Sequence, residues 1–359
     1  MLQAKHAYLN TRLNLLSGWM QRTDLNRQLI LATDTRPDDL LRQAGLPPNF
    51  SDLMSQPDEF DRQLHQLFLS EVTLLLRATT GGLREFVIHW LRQYELLNIK
   101  TVLRARAYGE PIDSTRITLL DVGRYASLSA ETLLAAEDVN EIFRVLEHYS
   151  YAGLAQKARR HYQERQNIFD LEAMIDRQYF VDLMQHFQFL DPAHKNALQP
   201  LLGMQLDRVN LLWLLRYRLN YGMDTSHIYY LLAPTGRWLD KAILMMLLRQ
   251  ETLGEMLQQL PPTWRKAVAG KQQLTRLENA ADQLLQNYYR GLFRSSSDSV
   301  VRLYCYLWLR QHQLKQIAII IKGRELGLES TMISDAAGLE EQGETGLNPE
   351  AELNLARAG

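Results

Sequence analysis

Six polar residues and six cations stand at matched spacings in this chain of 359 residues. Glu95 and Asn98, Asp207 and Asn210, and Gln313 and Gln316 are each three apart, inside stretches otherwise rich in Leu, Ile, Val and Trp. Nine and eleven residues beyond the first member of each pair come Arg104 and Arg106, Arg216 and Arg218, and Lys322 and Arg324. Carboxylates and amides one helical turn apart, beside apolar neighbours, are hydrogen-bonding groups that need partners. Two roles fit: a network tying neighbouring units of the chain together, or a rim that docks a protein partner. The cations are stabilised by the helix dipole if they sit near a helix C-terminus, whatever else they do. Residues two apart on a helix diverge by about 200°, so one of each cation pair is free to face a shared central axis.

Catalytic patterns are missing. No glycine-rich phosphate loop precedes Lys100, Lys241 or Lys271, so direct nucleotide hydrolysis is disfavoured. His65, His89, His148, His161, His186 and His194 sit singly, and none forms a ligand pair at helical spacing. Asp38 with Asp39, and Asp58, Glu59 and Asp61, follow or flank prolines as acids do in the first turn of a helix, and need no metal. No catalytic, cofactor-binding or metal residue is assigned, and no cofactor is expected. The aromatic pairs Tyr229-Tyr230 and Tyr288-Tyr289, and Trp213 with Tyr217, lack the flanking basic stripe that stacked nucleic acid would need, and read as packing.

The elements that hold these residues are helices. Leu, Gln, Arg and Ala dominate long stretches without Pro or Gly, and alternating β-branched runs are nearly absent. Breakers at Pro47-Pro48, Gly81-Gly82, Pro111, Pro192, Pro234 and Pro261-Pro262 divide the chain into helices of roughly 10 to 25 residues. Internal repetition has a period of about 110 residues. Tyr94 to Gly109, Leu206 to Gly222 and Arg310 to Gly327 are each a helix ending in glycine. Each is preceded by a turn, at Thr79 to Gly82, Asp191 to Ala193 and Ser295 to Asp298, and by another helix.

A second motif recurs upstream as Ile30, Leu31, Asp34 and Asp38, then Leu133, Leu134, Glu137 and Glu141, then Leu247, Leu248, Glu251 and Glu255. Paired apolar residues followed by acids describe a buried edge leading to a solvated rim. The expected division is 1–112, 113–224 and 225–330 as three helical repeats, with 331–359 as an acidic, disordered tail in which helical periodicity has faded.

Net charge is −1, which gives no global argument for nucleic acid or an anionic membrane. The last 31 residues carry a balance of −6 and leave a mildly basic body. The single cysteine, Cys305, lies in an apolar stretch and reads as a small core hydrophobe in a reducing compartment. No N-terminal segment has signal-peptide order, and no apolar run approaches the roughly 20 residues of a membrane span. Membrane association is expected only through a partner.

With the repeats aligned, the chain resembles the C subunit of V/A-type rotary ATPases, called d in eukaryotes. The ELLNIKTVLRARAYG helix and its two echoes carry the resemblance, which extends from about Tyr8 to Leu328. It implies an all-α fold of three similar helical repeats around a pseudo-threefold axis, forming a funnel. It also implies a non-catalytic adaptor between the central-stalk subunits and the membrane proteolipid ring, monomeric within the complex, cytoplasmic and peripheral to the membrane, serving proton or sodium transport. The third copy departs from the pattern, with Gln313 and Gln316 in place of acid and asparagine. A different helical-repeat scaffold binding a soluble protein is the alternative.

Overall fold

The computed structural model describes residues 2–21, 25–32, 38–149, 151–165 and 167–339, and among them every regular element is helical. After α1 (Leu2–Leu16), the same run of elements occurs three times. The first run is α2 (Leu25–Leu31), α3 (Asp38–Gln43), a 3₁₀ turn at Pro48–Leu53, α4 (Pro57–Leu76), α5 (Gly81–Tyr108) and α6 (Ile112–Thr118). The second is α7 (Ala130–Ala135), α8 (Val139–Glu147), α9 (Ala152–Arg165), α10 (Ile168–Gln188), α11 (Pro192–Leu215) and α12 (Thr225–Leu231). The third is α13 (Lys241–Leu248), α14 (Leu253–Gln258), α15 (Pro262–Val268), α16 (Leu274–Ser295), α17 (Ser299–Glu325) and α18 (Ser330–Ala336). Each run is three short elements, a long-helix hairpin, and a seven-residue helix.

Local chemistry sets these boundaries. Asp191 and Asp298 cap α11 and α17 by accepting from His194 N–H and Val300 N–H. Gly109, Gly222 and Gly327 follow the three long helices with φ of 70°, 59° and 65°, a left-handed turn that residues with a Cβ resist. A seven-residue helix starts three residues after each of these glycines. The second copy has one residue more than the others between its acid and its glycine. The chain absorbs it in a π-helical turn, Arg216–Asn220, which continues α11 and carries both matched cations of this copy.

The first residues of the expected tail are therefore helical. α18 is the third seven-residue helix, and it packs on α17 and α2 with Ile333 buried. Its single large buried residue is too weak a periodic signal to read from sequence. Of the tail expected to be disordered, 331–359, residues 340–359 lie outside the described residues, as does Asp34.

Packing follows one rule. α7 and α8 lie on α5 of the preceding run, and α2 lies on α17 of the last run. α10 runs along α5, α11 packs on α16, and α17 packs on α16 and returns to α4. The N-terminal elements thus cover the C-terminal long helix. Cys305 is fully buried among them, and burial pushes its thiol well above the ordinary range, so it is a packing residue.

In the second and third copies the acids of the second motif serve as helix caps. Glu141 and Glu255 accept from the backbone N–H of Glu137 and Glu251, four residues earlier, and Thr252 with Glu255 closes a capping box. In the first copy the buried pair is Leu29 and Ile30, one residue earlier than aligned, and Leu31 is 63% exposed. Arg324 donates to the Leu29 carbonyl, two residues before the position aligned with Leu134, to which Arg106 donates.

Candidate functional site

All six repeated acid and amide residues are buried, and all six hold backbone of the segment that covers their helix. Glu95 accepts from Ser127 N–H (3.1 Å) and Leu128 N–H (2.7 Å), and Asp207 from Trp238 N–H and Leu239 N–H, both at 2.9 Å. Asn98 brackets Leu120, donating to its carbonyl and accepting from its N–H. Asn210 donates to the Pro234 carbonyl, and Gln316 donates to that of Ala337. These carbonyls lie just beyond α6, α12 and α18. Gly236 lets the second covering loop approach: a Cβ there would stand 2.1 Å from Asp207 Oδ1. Asp207 is fully buried, and burial raises its carboxyl to about 6 against the pull of those N–H donors.

The third copy inverts the polarity. Gln313 Nε2 approaches the Ala44 carbonyl at 3.3 Å, and its Oε1 accepts from Arg310, which also donates to Ala44 and Gly45 carbonyls. Where the covering segment offers carbonyls, a carboxylate at 313 would meet acceptors. The substitution of acid by amide is thereby explained. Sequence reasoning missed the group that accompanies it. Arg310, 1% exposed, forks onto Glu71 at 3.0 and 2.8 Å, and Tyr306 donates to Glu71 at 2.6 Å. The available signal was a charged residue inside each of two long apolar helices.

The repeated cations divide as the 200° rule requires, but neither member of a pair reaches a central cavity. Arg104 lies 3.4 Å from Glu172, Arg216 3.4 Å from Glu278, and Lys322 3.5 Å from Asp58. The acids stand near the starts of α10, α16 and α4. Each first cation therefore meets the first long helix of the following run, with the last run meeting the first. Of the second cations, Arg106 and Arg324 bond covering carbonyls, and Arg218 is half-buried.

A cavity of about 320 Å³ opens where α4, α5, α10, α11, α16 and α17 converge. His65, Gln93, Gln205, Arg208, His312 and Lys315 supply much of its polar lining. Burial lowers His65 and brings His312 down to about 4 despite Asp282 beside it, so both are neutral at pH 7. Burial opposes ionisation of Asp282, yet Arg208 and His312 hold its carboxyl below the ordinary range. The cavity is thus lined by neutral imidazoles, amides, one ion pair and Lys315, which is 56% exposed. Among the described residues no helix is long and apolar enough to cross a membrane.

One cluster falls outside what helical spacing can announce. His161 has ligand-type neighbours: its ring, that of His227 and the Asp170 carboxylate offer atoms all within 4.8 Å of one another. They come from three helices, so no sequence spacing announces them.

A chain of repeated helices whose repeated polar residues chiefly bind its own backbone defines a helical scaffold. It matches the model of the ATP synthase (C/AC39) subunit family over residues 41–336, and it belongs to that family. It is similar to the C subunit of the A-type ATP synthase from Methanosarcina mazei, 26% identical over 265 residues that cover 73% of this chain and 72% of that protein. Similarity to the protein of the same name from Haloquadratum walsbyi is 22% over 346 residues, covering 91% of this chain and 96% of the relative. For Halobacterium salinarum the figures are 22% over 283 residues, 77% and 80%.

Proposed function

We propose that this chain is the non-catalytic central-stalk adaptor of a V/A-type rotary ATPase, seating the soluble rotor shaft on the membrane proteolipid ring and passing torque between them for proton or sodium transport. In this reading the three runs are similar units around a pseudo-threefold axis that form a funnel. The protein works as a monomer within the complex, cytoplasmic and peripheral to the membrane, without nucleic acid or cofactor.

The observation that carries the proposal is the cavity at the convergence of the six long helices, two from each run. Its size suits side chains projecting from the tip of a shaft rather than a whole helix, and the ion pair of Lys315 with Glu278 at its edge suits a polar tip. The cyclic rule of packing adds support. Each unit is pinned to the next by buried carboxylate or guanidinium clamps, and close-packed cores deform little under load, as a torque-bearing part requires. Membership of an ATP synthase subunit family and the names of the relatives agree with this role.

The test is capture of purified central-stalk subunits and of detergent-solubilised rotor ring by the isolated chain. Binding of both is expected. Binding of neither would leave the generic scaffold as the better account. ATP hydrolysis by the isolated chain would overturn the non-catalytic assignment.

A further inference from the structure

We propose that His161, Asp170 and His227 form a binding site for one divalent first-row transition-metal ion, with zinc the best match. The His161 Nε2 lies 3.3 Å from Asp170 Oδ2, and the His227 Nε2 lies 3.7 Å from the same oxygen. A tetrahedral zinc ion bound at about 2.0–2.1 Å sets its ligand atoms about 3.3 Å apart. Two of the three separations are already near that value, and the third is at most 4.8 Å. Small rotations of the two rings close it. Their centroids are 6.3 Å apart and tilted by 51°, so they converge on the carboxylate without stacking.

Burial favours an ion as well. The Asp170 side chain is 4% exposed and the two histidines 18% and 16%. A buried carboxylate beside two imidazole nitrogens is a favourable ligand set for a cation. Two imidazolium rings so close would repel each other, whereas a metal takes both rings neutral. Two nitrogens and one oxygen suit zinc or its neighbours better than calcium or magnesium, which prefer all-oxygen sets. The partial exposure of the rings leaves an entry path and a fourth position for water.

The repeat supplies an independent observation. Asp170 is the third residue of α10, and the third residues of α16 and α4 are Arg276 and Glu59. There the neighbours are ordinary ion-pair partners: Asp335 at 3.4 Å from Arg276, and Arg62 at 2.6 Å from Glu59. Among the described residues, the two-histidine, one-carboxylate set is peculiar to the second copy. A bound ion would tie α9 and α12 to the start of α10.

The experiment uses the full chain, stripped with a chelator and titrated with cobalt(II) and then zinc. One equivalent of cobalt is expected to give the intense visible bands of a tetrahedral ion, bleached by zinc, and zinc is expected to raise the melting temperature. His161→Gln, His227→Gln and Asp170→Asn should each weaken zinc binding by about tenfold or more, and His194→Gln should leave it unchanged. Binding undiminished in both His161→Gln and His227→Gln would assign the ion to other surface histidines and overturn the proposal. Weak octahedral cobalt bands, or no saturable binding, in the wild-type chain would do the same, whether or not the variants fold.

Discussion

The carboxylate clamps of the first two copies and the Arg310–Glu71 seam of the third do the same job by opposite chemistry. Glu95 and Asp207 reach segments 33 and 32 residues away, at Leu128 and Leu239, along continuous chain. Arg310 reaches Glu71 across 239 residues and Ala44 across 266. Each doubling of a closed loop costs about 0.6 kcal/mol, so the seam faces about 2 kcal/mol more closure entropy than a clamp. A bidentate, buried ion pair with a tyrosine and two carbonyls stands where that extra cost falls. The lesson is that equivalent joints in a closed repeat protein differ in strength according to whether the chain runs through them.

Breaking the seam tests this most directly. Arg310→Ala or Glu71→Ala should destabilise the protein by about 3–5 kcal/mol, since either leaves the other charge buried without its partner. Arg310→Met combined with Glu71→Leu should recover a good part of the loss, measured by urea denaturation. Two single losses that simply add would mean that the pair is not coupled.

An intermediate effect concerns the clamp. Asp207 titrates near 6 in the folded chain against an ordinary 3.8. Between those values the folded state holds more protons than the unfolded state, so the stability due to this group rises as pH falls through 6 towards 4 and is lost as pH rises again. The stability of wild type relative to Asp207→Asn should therefore improve by up to about 3 kcal/mol from pH 7 to pH 4. A difference that does not vary with pH would remove the clamp's burial cost from the account.

The smallest effect belongs to the outer cations. Lys322 and Asp58 are 59% and 93% exposed, so Lys322→Ala should change stability by less than about 0.5 kcal/mol and become indistinguishable from wild type in high salt. A larger loss would make the outer contact, rather than the seam, the joint of the third copy.

The long helices and their glycine ends were legible because a left-handed terminus demands glycine and a buried polar residue stands out among leucines. The positions of Glu95, Asn98, Asp207 and Asn210 were legible for the same reason. Their partners were not, because backbone N–H and carbonyl groups carry no sequence signature. The meaning of Gln313 was hidden too: it depends on Ala44, which is remote in sequence and contributes only a carbonyl. α18 was missed because seven residues with one buried isoleucine fall below what periodicity can resolve. The histidine pair was missed because His161 and His227 are 66 positions apart.

The cover of α17 by α2 and Ala44 also bears on how the chain is made. During synthesis, α2 leaves the ribosome early, but the helix it seats on is among the last to appear. At about 5–20 residues per second, the wait is on the order of tens of seconds. Through that interval Leu25, Leu29 and Ile30, all buried in the finished protein, stand without their neighbours from α17 and α18, so α2 is open to chaperones or to a wrong seat while the rest is still being translated.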